Sequence, residues 1–305
     1  MTKTRKIEIL DRARNYFVEK TFSLWQLLGL NISLNNYYSP VPDVKTLKEV
    51  LWSSPSKLVG IDMNEEEQLK LLSLFVFLFK TEYESFPKGK TKTPYEYYVN
   101  NAFFGSVDGE ILYCIIRHFK PRKIFEIGSG FSTYLTSQAI LRNKKEDSAY
   151  DCNFVVVDPY PNETIRRGFS GLSRIVMNKV QDVPLSEFQK LKDNDILFID
   201  SSHVLKIGSD VQFEYLEIVP RLSRGVIIHS HDIFLPSEYH KSWILKEHIF
   251  WNEQYLLQAF LAFNNSYKVL WAGNYMHLRH PKELRLAFSS YTGETPASFW
   301  IKKDK

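Results

Sequence analysis

From about residue 108 onward, short apolar segments alternate with segments of helical pattern, and this alternation constrains the fold more than any other feature. The strand candidates are Lys123–Glu126, Asn153–Val157, Arg174–Met177, Asp195–Ile199 and Gly225–His229. The second contains the run Phe154-Val155-Val156-Val157, which is typical of a parallel sheet that is covered on both faces. Strand–helix alternation of this kind predicts a doubly wound α/β domain.

Helical patterns fill the segments between these strands. They predict helices over Gly109–Phe119 with Asp108 as its cap, and over Ser132–Leu141, Leu185–Leu191, Ser209–Leu222 and Glu253–Phe263. Two later apolar segments, Tyr267–Ala272 and Ala297–Lys302, are candidates to complete the sheet, with a turn-rich link between them. Ligands bind beyond the carboxyl ends of the strands in such folds, so we expect the functional residues just after each strand.

The first 95 residues show a different pattern and predict a helical appendage to a core domain of residues 96–305. Apolar residues at helical spacing predict one helix over residues 5–30 and another from Asp62 or Asn64 to about Lys80. Four tyrosines are candidates for a substrate cleft or lid, with packing between appendage and core as the alternative: Tyr37, Tyr38, Tyr97 and Tyr98.

Composition excludes several classes of protein. The 39 basic and 35 acidic side chains leave a net charge of +4 with no basic stripe, which argues against a nucleic-acid partner. Two cysteines suit a reducing compartment. The most apolar run, Leu69–Phe79, is shorter than the ~18 residues of a membrane span. We therefore expect a cytoplasmic protein without a transmembrane segment, and the exposed aromatics permit a homodimer without requiring one.

A glycine-containing turn follows the first predicted strand. Gly128 and Gly130 allow a tight turn and a close approach of the backbone to a ligand at a helix N-terminus. The third glycine of a dinucleotide-binding motif is missing, which argues against an NAD-dependent enzyme. Glu126, before the turn, suits an anchor for an amino group or for ligand-bound water better than for a pyrophosphate.

Acidic residues follow the next two strands. Asp158 comes directly after the second strand, where a carboxylate can accept both hydroxyls of a ribose. Asp182 follows the third strand and is a candidate contact for an adenine edge, although it also fits an acidic residue of an exposed loop.

The fourth and fifth strands end in a cluster of histidines and aspartates, namely Asp200, His203, His231 and Asp232. Neighbouring parallel strands bring these side chains to one edge of the sheet, where they can form a metal site or a general-base site. The pKa of histidine lies near neutrality, so His203 is a candidate general base. His229 is either a supporting partner or a packed core residue.

Together these motifs resemble the class I S-adenosylmethionine-dependent methyltransferases over residues 96–305. The resemblance implies a Rossmann-like seven-stranded sheet of order 3-2-1-4-5-7-6, whose last strand is antiparallel. It further implies that Gly128, Ser129, Gly130 and Ser132 lie at the methionine part of the cofactor and that Asp158 holds the ribose, with Glu126 as the family's first acidic position.

Within that superfamily, the strand ends around Asp200 and Asp232 are most similar to metal-dependent sugar O-methyltransferases of the macrocin and mycinamicin kind. The resemblance implies that Asp200 and Asp232 bind a divalent metal and that His203 acts as the base. His231 stands where that pattern has an acid, and a mixed nitrogen and oxygen donor set suits Mn, Fe or Zn better than Mg. The implied acceptor is a sugar hydroxyl of a bacterial glycan, glycolipid or secondary metabolite.

Two other functions fit the same residues. His203, His231 and Asp232 are similar to the two-histidine, one-carboxylate set of iron oxygenases. The chain is also compatible with a subunit that binds S-adenosylmethionine without turnover and whose helical appendage docks a partner.

Overall fold

The computed structural model describes residues 3–305, with side chains from Leu10 onward. It divides into two compact units. The smaller contains the residues up to Ser53 together with His240–Phe250, and the larger contains Ser54–Tyr239 and Trp251–Lys305. The larger unit therefore takes in residues 54–95, which the sequence pattern assigned to the appendage.

The larger unit is built on a seven-stranded sheet of order β3-β2-β1-β4-β5-β7-β6. The strands are β1 Lys123–Ile127, β2 Asn153–Val157, β3 Arg174–Val176, β4 Ile196–Ile199, β5 Ile227–Ser230, β6 Tyr267–Ala272 and β7 Phe299–Lys303. The first five strands pair in parallel, and β7 is antiparallel to both β5 and β6. The predicted Rossmann-like sheet is confirmed, including its strand order.

Helices occupy most of the connections. Their bounds are α1 Lys3–Leu27, α2 Val50–Ser53, α3 Glu65–Tyr83, α4 Asp108–Phe119, α5 Phe131–Glu146, α6 Glu163–Arg167, α7 Leu185–Phe188, α8 Asp210–Phe213, α9 Glu253–Leu261, α10 Gly273–Arg279 and α11 Pro281–Ala287. Among the described residues, no helix has the length and apolar character needed to cross a membrane.

The sheet is buried on both faces. Consecutive side chains of a strand point to opposite sides of the sheet and therefore enter different apolar clusters. Phe154 and Val156 of β2 belong to one apolar cluster, and Val155 and Val157 belong to the other. The first cluster also contains residues of α3, α4 and α5. This burial explains why β2 has an uninterrupted apolar sequence.

Two local predictions were wrong, one for the link between β6 and β7 and one for the start of α4. The link between β6 and β7 contains α10 and α11, and Pro281 begins the second of them, where a missing amide hydrogen costs nothing. Asp108 does not cap α4. Its carboxylate accepts hydrogen bonds from the main-chain amides of Ala297 and Ser298, at 2.8 and 3.0 Å, and so holds the segment that leads into β7.

The predicted helix over Ser209–Leu222 is divided into three parts. After α8, Glu214–Ile218 form a π-helical turn, and Val219–Arg221, which include Pro220, form a 3-10 turn. The wide turn of a π-helix changes the direction of its side chains, and such turns are frequent at functional sites. Here the π-helical turn carries the buried side chains of Glu214 and Tyr215.

Candidate active site

The turn between β1 and α5 forms the centre of the site. Gly128 has a φ of +83°, a conformation that favours glycine, and its amide donates to the carbonyl of Val157 at 3.0 Å. A side chain on Gly130 would meet no atom within 4 Å, so this part of the turn is open to a ligand. The turn therefore offers backbone and free space at the N-terminus of α5.

Glu126 lies beneath this turn and is 1% exposed. The Ser132 hydroxyl donates to its Oε1, while Oε2 has no hydrogen-bond partner among the described residues. Burial raises the pKa of this carboxyl to about 8, because the charged form is poorly solvated there. The sequence predicted an anchor for an amino group, and the unpaired oxygen leaves one acceptor position for it.

A cavity of about 590 Å³, which we call the donor cavity, opens at the ends of β1, β2 and β4. Asp158 lies in its wall, where one carboxylate oxygen accepts from the Ser129 hydroxyl and the other from the amide of Tyr160 at 2.7 Å. Gln181 also lines this cavity, and its Oε1 is buried without a partner among the described residues. Asp182, the predicted adenine contact, is exposed and does not line the cavity.

A second cavity of about 430 Å³ adjoins the first, and we call it the aromatic cavity. Phe131 forms its centre, with the rings of Tyr98 and Tyr134 packed edge-on at 5.1 and 5.8 Å between centroids. Phe103 stacks on Phe131 at 6.2 Å and is 77% exposed. The remaining lining residues include Lys90, Glu96, Asn162, Gly130 and Ser132.

Of the four predicted cleft tyrosines, Tyr98 lines this aromatic cavity. Tyr97 is fully buried, and its hydroxyl donates to the carbonyl of Phe104 at 2.9 Å. Tyr37 and Tyr38 are in the smaller unit and are exposed.

Asp200 and Ser129 line both cavities. Asp200 follows the last residue of β4, and its main-chain amide donates to the carbonyl of Ile127 at 2.9 Å. This bond fixes the Asp200 side chain, about 29% exposed, at the junction of the two cavities.

Behind Asp200 lies the imidazole of His203, which is 4% exposed. Its Nε2 is 3.4 Å from a carboxylate oxygen of Asp200 and 3.4 Å from one of Asp232. On the opposite edge of the ring, Nδ1 is 2.9 Å from Oε2 of Glu253. Three carboxylates thus surround one imidazole, and neither His203 nor Asp232 lines the two cavities.

This arrangement changes the protonation of the cluster. Burial alone would lower the pKa of His203, but hydrogen bonds to Asp200 and Glu253 outweigh it and raise that pKa well above its ordinary value. Burial raises the pKa of Asp232. Burial would also raise the pKa of Asp200, but the nearby imidazoles of His231 and His203 lower it.

One ligand atom from each of Asp200, His203 and Asp232 lies within 4.8 Å of the other two, a spacing that one metal ion can bridge. His231, the predicted nitrogen ligand, is outside this group, although its imidazole is close enough to influence Asp200. His229 is fully buried between Phe198 and Trp300, with ring centroids at 3.9 and 4.4 Å, and neither of its nitrogens has a hydrogen-bond partner among the described residues.

The structure adds site residues that the sequence analysis did not single out. Gln181 is next to the predicted Asp182, and the 3-10 turn over Val180–Asp182 decides which of the two faces the cavity. Glu253 is 50 residues from His203 and begins α9, where an acidic residue is ordinary and gives no functional signal.

Comparison with known proteins finds a match over the segment that contains the glycine turn. A family model described as a methyltransferase domain matches residues 125–233. A protein of Archaeoglobus fulgidus, described only as an uncharacterized protein, is 34% identical over 198 residues, which are 62% of this chain and 86% of the archaeal protein. This chain belongs to the same family as the archaeal protein, and its residues 125–233 match a methyltransferase domain.

The methyltransferase match begins in β1 and ends just after β5, so it includes the glycine turn, Asp158, Asp200 and Asp232. A crystal structure of an O-methyltransferase from Bacillus cereus in complex with SAH aligns with 77% of this chain and 91% of its own, at 12% identity. The TM-score of 0.36 is too low for a residue-level comparison of the two sites.

Proposed function

We propose that this methyltransferase-family protein transfers the methyl group of S-adenosylmethionine to a hydroxyl oxygen of a sugar-bearing small molecule or glycan. The observation that carries the proposal is the shared wall of the two cavities, which contains Asp200 and Ser129. A direct methyl transfer needs donor and acceptor to meet in line, and two adjoining cavities with one polar boundary provide such a meeting point.

The donor cavity has the groups that S-adenosylmethionine requires. Asp158 offers a carboxylate to the ribose hydroxyls, and the buried Oε1 of Gln181 is an unsatisfied acceptor for the adenine amino group. The open space at Gly130 and the unpaired Oε2 of Glu126 suit the methionine end. When bound, S-adenosylmethionine supplies an electrophilic methyl group on a positively charged sulfur.

The aromatic cavity supports an acceptor that has both an apolar face and several hydroxyls. Rings such as those of Phe131 and Tyr98 can stack on the C–H face of a sugar or on another flat group. Lys90, Glu96 and Asn162 supply hydrogen-bonding groups around them. This mixture of stacking and polar groups is typical of small-molecule sites.

A hydroxyl must lose its proton as its oxygen takes the methyl group. Asp200 is the carboxylate that faces both cavities, and His203 contacts it from behind through Nε2 at 3.4 Å. In the proposed mechanism Asp200 orients the hydroxyl, and the Asp200–His203 pair receives the proton once the imidazole, whose raised pKa favours the charged form, has released its own proton to solvent. His203 is thus the proposed base, acting through the carboxylate that reaches the acceptor.

A divalent metal also fits the site. Asp200 and Asp232 would hold it with oxygen ligands, and His203 offers a nitrogen, a donor set that favours Mn or Fe over Mg. The chemistry that such an ion supplies is a lower pKa for a bound hydroxyl.

Calorimetric titration tests the donor site. The chelator-treated chain is titrated with S-adenosylmethionine and, separately, with NAD, and we expect micromolar binding of the first only. Asp158→Ala should weaken donor binding at least tenfold, whereas Asp151→Ala, which removes an exposed carboxylate paired with Lys144, should not. Equal affinity of the two variants would exclude the ribose role of Asp158.

Methyl transfer is then measured with donor labelled in the methyl group, using a panel of glycosides and phenols with and without Mn. Label transfer to a glycoside supports the proposal, whereas transfer to phenols alone contradicts the sugar acceptor. Donor binding without transfer to any acceptor would favour the non-catalytic alternative. Iron binding with consumption of O₂ would favour the oxygenase, although Asp200, His203 and Asp232 supply two carboxylates and one histidine, whereas that class uses two histidines and one carboxylate.

A further inference from the structure

We propose that Glu253 is a positioning residue that fixes the imidazole of His203, with a hydrogen on Nδ1 and Nε2 directed between Asp200 and Asp232. The inference deepens the proposed function, and its kinetic test rests on that function. The inference is supported by the contacts of the Glu253 side chain. The side chain is fully buried, its Oε2 is 2.9 Å from Nδ1 of His203, and it lines neither of the two cavities.

The second carboxylate oxygen of Glu253 is fixed as well. The Tyr215 hydroxyl lies 2.9 Å from Oε1 and 2.7 Å from the hydroxyl of Ser230. Tyr215 is on the π-helical turn after α8, and Ser230 is the last residue of β5. With both oxygens held, Glu253 presents a carboxylate of fixed orientation to the imidazole.

The main chain holds the same two residues together. The carbonyl of His203 accepts hydrogen bonds from the amides of Asn252 and Glu253, at 3.0 and 3.2 Å. The Asn252 side chain accepts from the amide of Leu205 at 2.6 Å. His203 itself has a φ of +59°, a strained conformation for this residue type that these bonds help to maintain.

Trp251 supports the imidazole from a third side, with its ring centroid 4.4 Å from that of His203. The residues Trp251, Asn252 and Glu253 therefore hold one histidine by stacking, main-chain bonds and a carboxylate. An acidic residue at the start of a helix usually stabilises the helix by a favourable interaction with the helix dipole. The Glu253 side chain instead contacts His203 and Tyr215, so helix stabilisation alone does not explain it.

The chemical consequence concerns the two ring nitrogens. A carboxylate that accepts the Nδ1 hydrogen fixes the ring orientation and makes the other nitrogen more basic. That nitrogen is the one that faces Asp200 and Asp232 at 3.4 Å. A general base and a metal ligand both need Nε2 directed towards Asp200 and Asp232. Glu253 therefore supports either role of His203.

Proton NMR of the full chain with ¹⁵N-labelled histidine tests the positioning directly. We expect one strongly downfield Nδ1 proton that disappears in His203→Gln, which assigns it, and also in Glu253→Ala. The signal should persist in Glu217→Gln, a substitution of a half-exposed carboxylate on the π-helical turn. Absence of the signal from the unmodified protein, or its persistence in Glu253→Ala, overturns the proposal.

Kinetics of methyl transfer provide the second test. Glu253→Gln should lower kcat about 10- to 100-fold, the usual effect of removing a supporting partner, and leave donor affinity and thermal unfolding near those of the unmodified protein. Glu253→Asp should restore part of the rate. A parallel loss of donor affinity and stability would overturn the positioning role. If the unmodified chain methylates no acceptor, the proposed function fails, while NMR still decides the positioning of His203.

Discussion

The α-carbon of Gly128 lies against the main-chain carbonyl of Asp200, so that a Cβ placed on Gly128 would be 1.9 Å from that oxygen. The glycine turn after β1 and the end of β4 are therefore in direct backbone contact. This contact determines the position of Asp200 in the wall of both cavities and requires glycine at residue 128.

Gly128→Ala should destabilise the chain by about 2 kcal/mol or more, because the methyl group clashes with the Asp200 carbonyl and φ is positive. Donor binding should be lost as well. Thermal unfolding and calorimetry measure both effects. Gly130→Ala is the control for folding, since its Cβ meets open space. Equal melting temperatures for the two variants would contradict the close contact.

Gln181→Ala should weaken binding of the donor or its demethylated product about fivefold to tenfold, because one hydrogen bond contributes about 1 kcal/mol. Asp182→Ala, one residue further on, should leave the affinity unchanged because Asp182 is exposed outside the donor cavity. Titration calorimetry on the two variants measures the difference. Weaker donor binding by Asp182→Ala would instead support the prediction that Asp182 contacts the adenine.

Glu126 makes stability depend on pH. Its pKa is about 8 in the folded chain, above the ordinary value of 4.5, so the folded state binds the proton more tightly. The resulting stabilisation is complete below pH 4.5 and is lost as the pH rises towards 8. Glu126→Gln should remove a few kcal/mol of this pH-dependent loss of stability, because each unit of pKa difference corresponds to about 1.4 kcal/mol.

Denaturant unfolding of the ligand-free chain at several pH values measures this slope. Glu110, whose burial raises its pKa to about 7, contributes in the same direction to both proteins, so their difference isolates Glu126. Parallel pH profiles for the unmodified chain and Glu126→Gln would show that Glu126 is ionised in the folded state.

Arg117→Leu should cost about 3–5 kcal/mol, the usual effect of removing one partner of a buried ion pair. The Arg117 guanidinium, 2% exposed, binds both oxygens of Glu82 at 2.9 and 3.0 Å and also Glu146. The matched change Arg167→Leu breaks an exposed pair with Glu163 and should cost less than about 1 kcal/mol. Denaturant unfolding of both variants measures the two costs.

The apolar strands were predictable because their residues favour an extended conformation and also suit burial within the sheet. β2 and β6 have the predicted bounds, Asn153–Val157 and Tyr267–Ala272. In β2 this is because continuous apolar and β-branched residues fit a sheet that is buried on both faces. The order of the strands came from the resemblance of the glycine turn and the strand-end acids to a known family.

What the sequence could not provide depends on contacts between distant segments. Asp108 looks like a helix cap but binds Ala297 and Ser298, about 190 residues away. Glu253 contacts His203 across 50 residues of sequence. His231 follows β5 as expected, yet His203 lies between Asp200 and Asp232 because its loop turns back at a positive φ.

Strand β7 lies between β5 and β6, so in the part of the chain that the structure describes β6 joins the sheet through β7. The carboxylate of Asp108, which is about 190 residues earlier in the sequence, holds the segment that leads into β7. Local opening of β7 would therefore expose the amides of β6 to solvent as well. We therefore expect the amides of β6 and β7 to exchange with solvent as one cooperative unit.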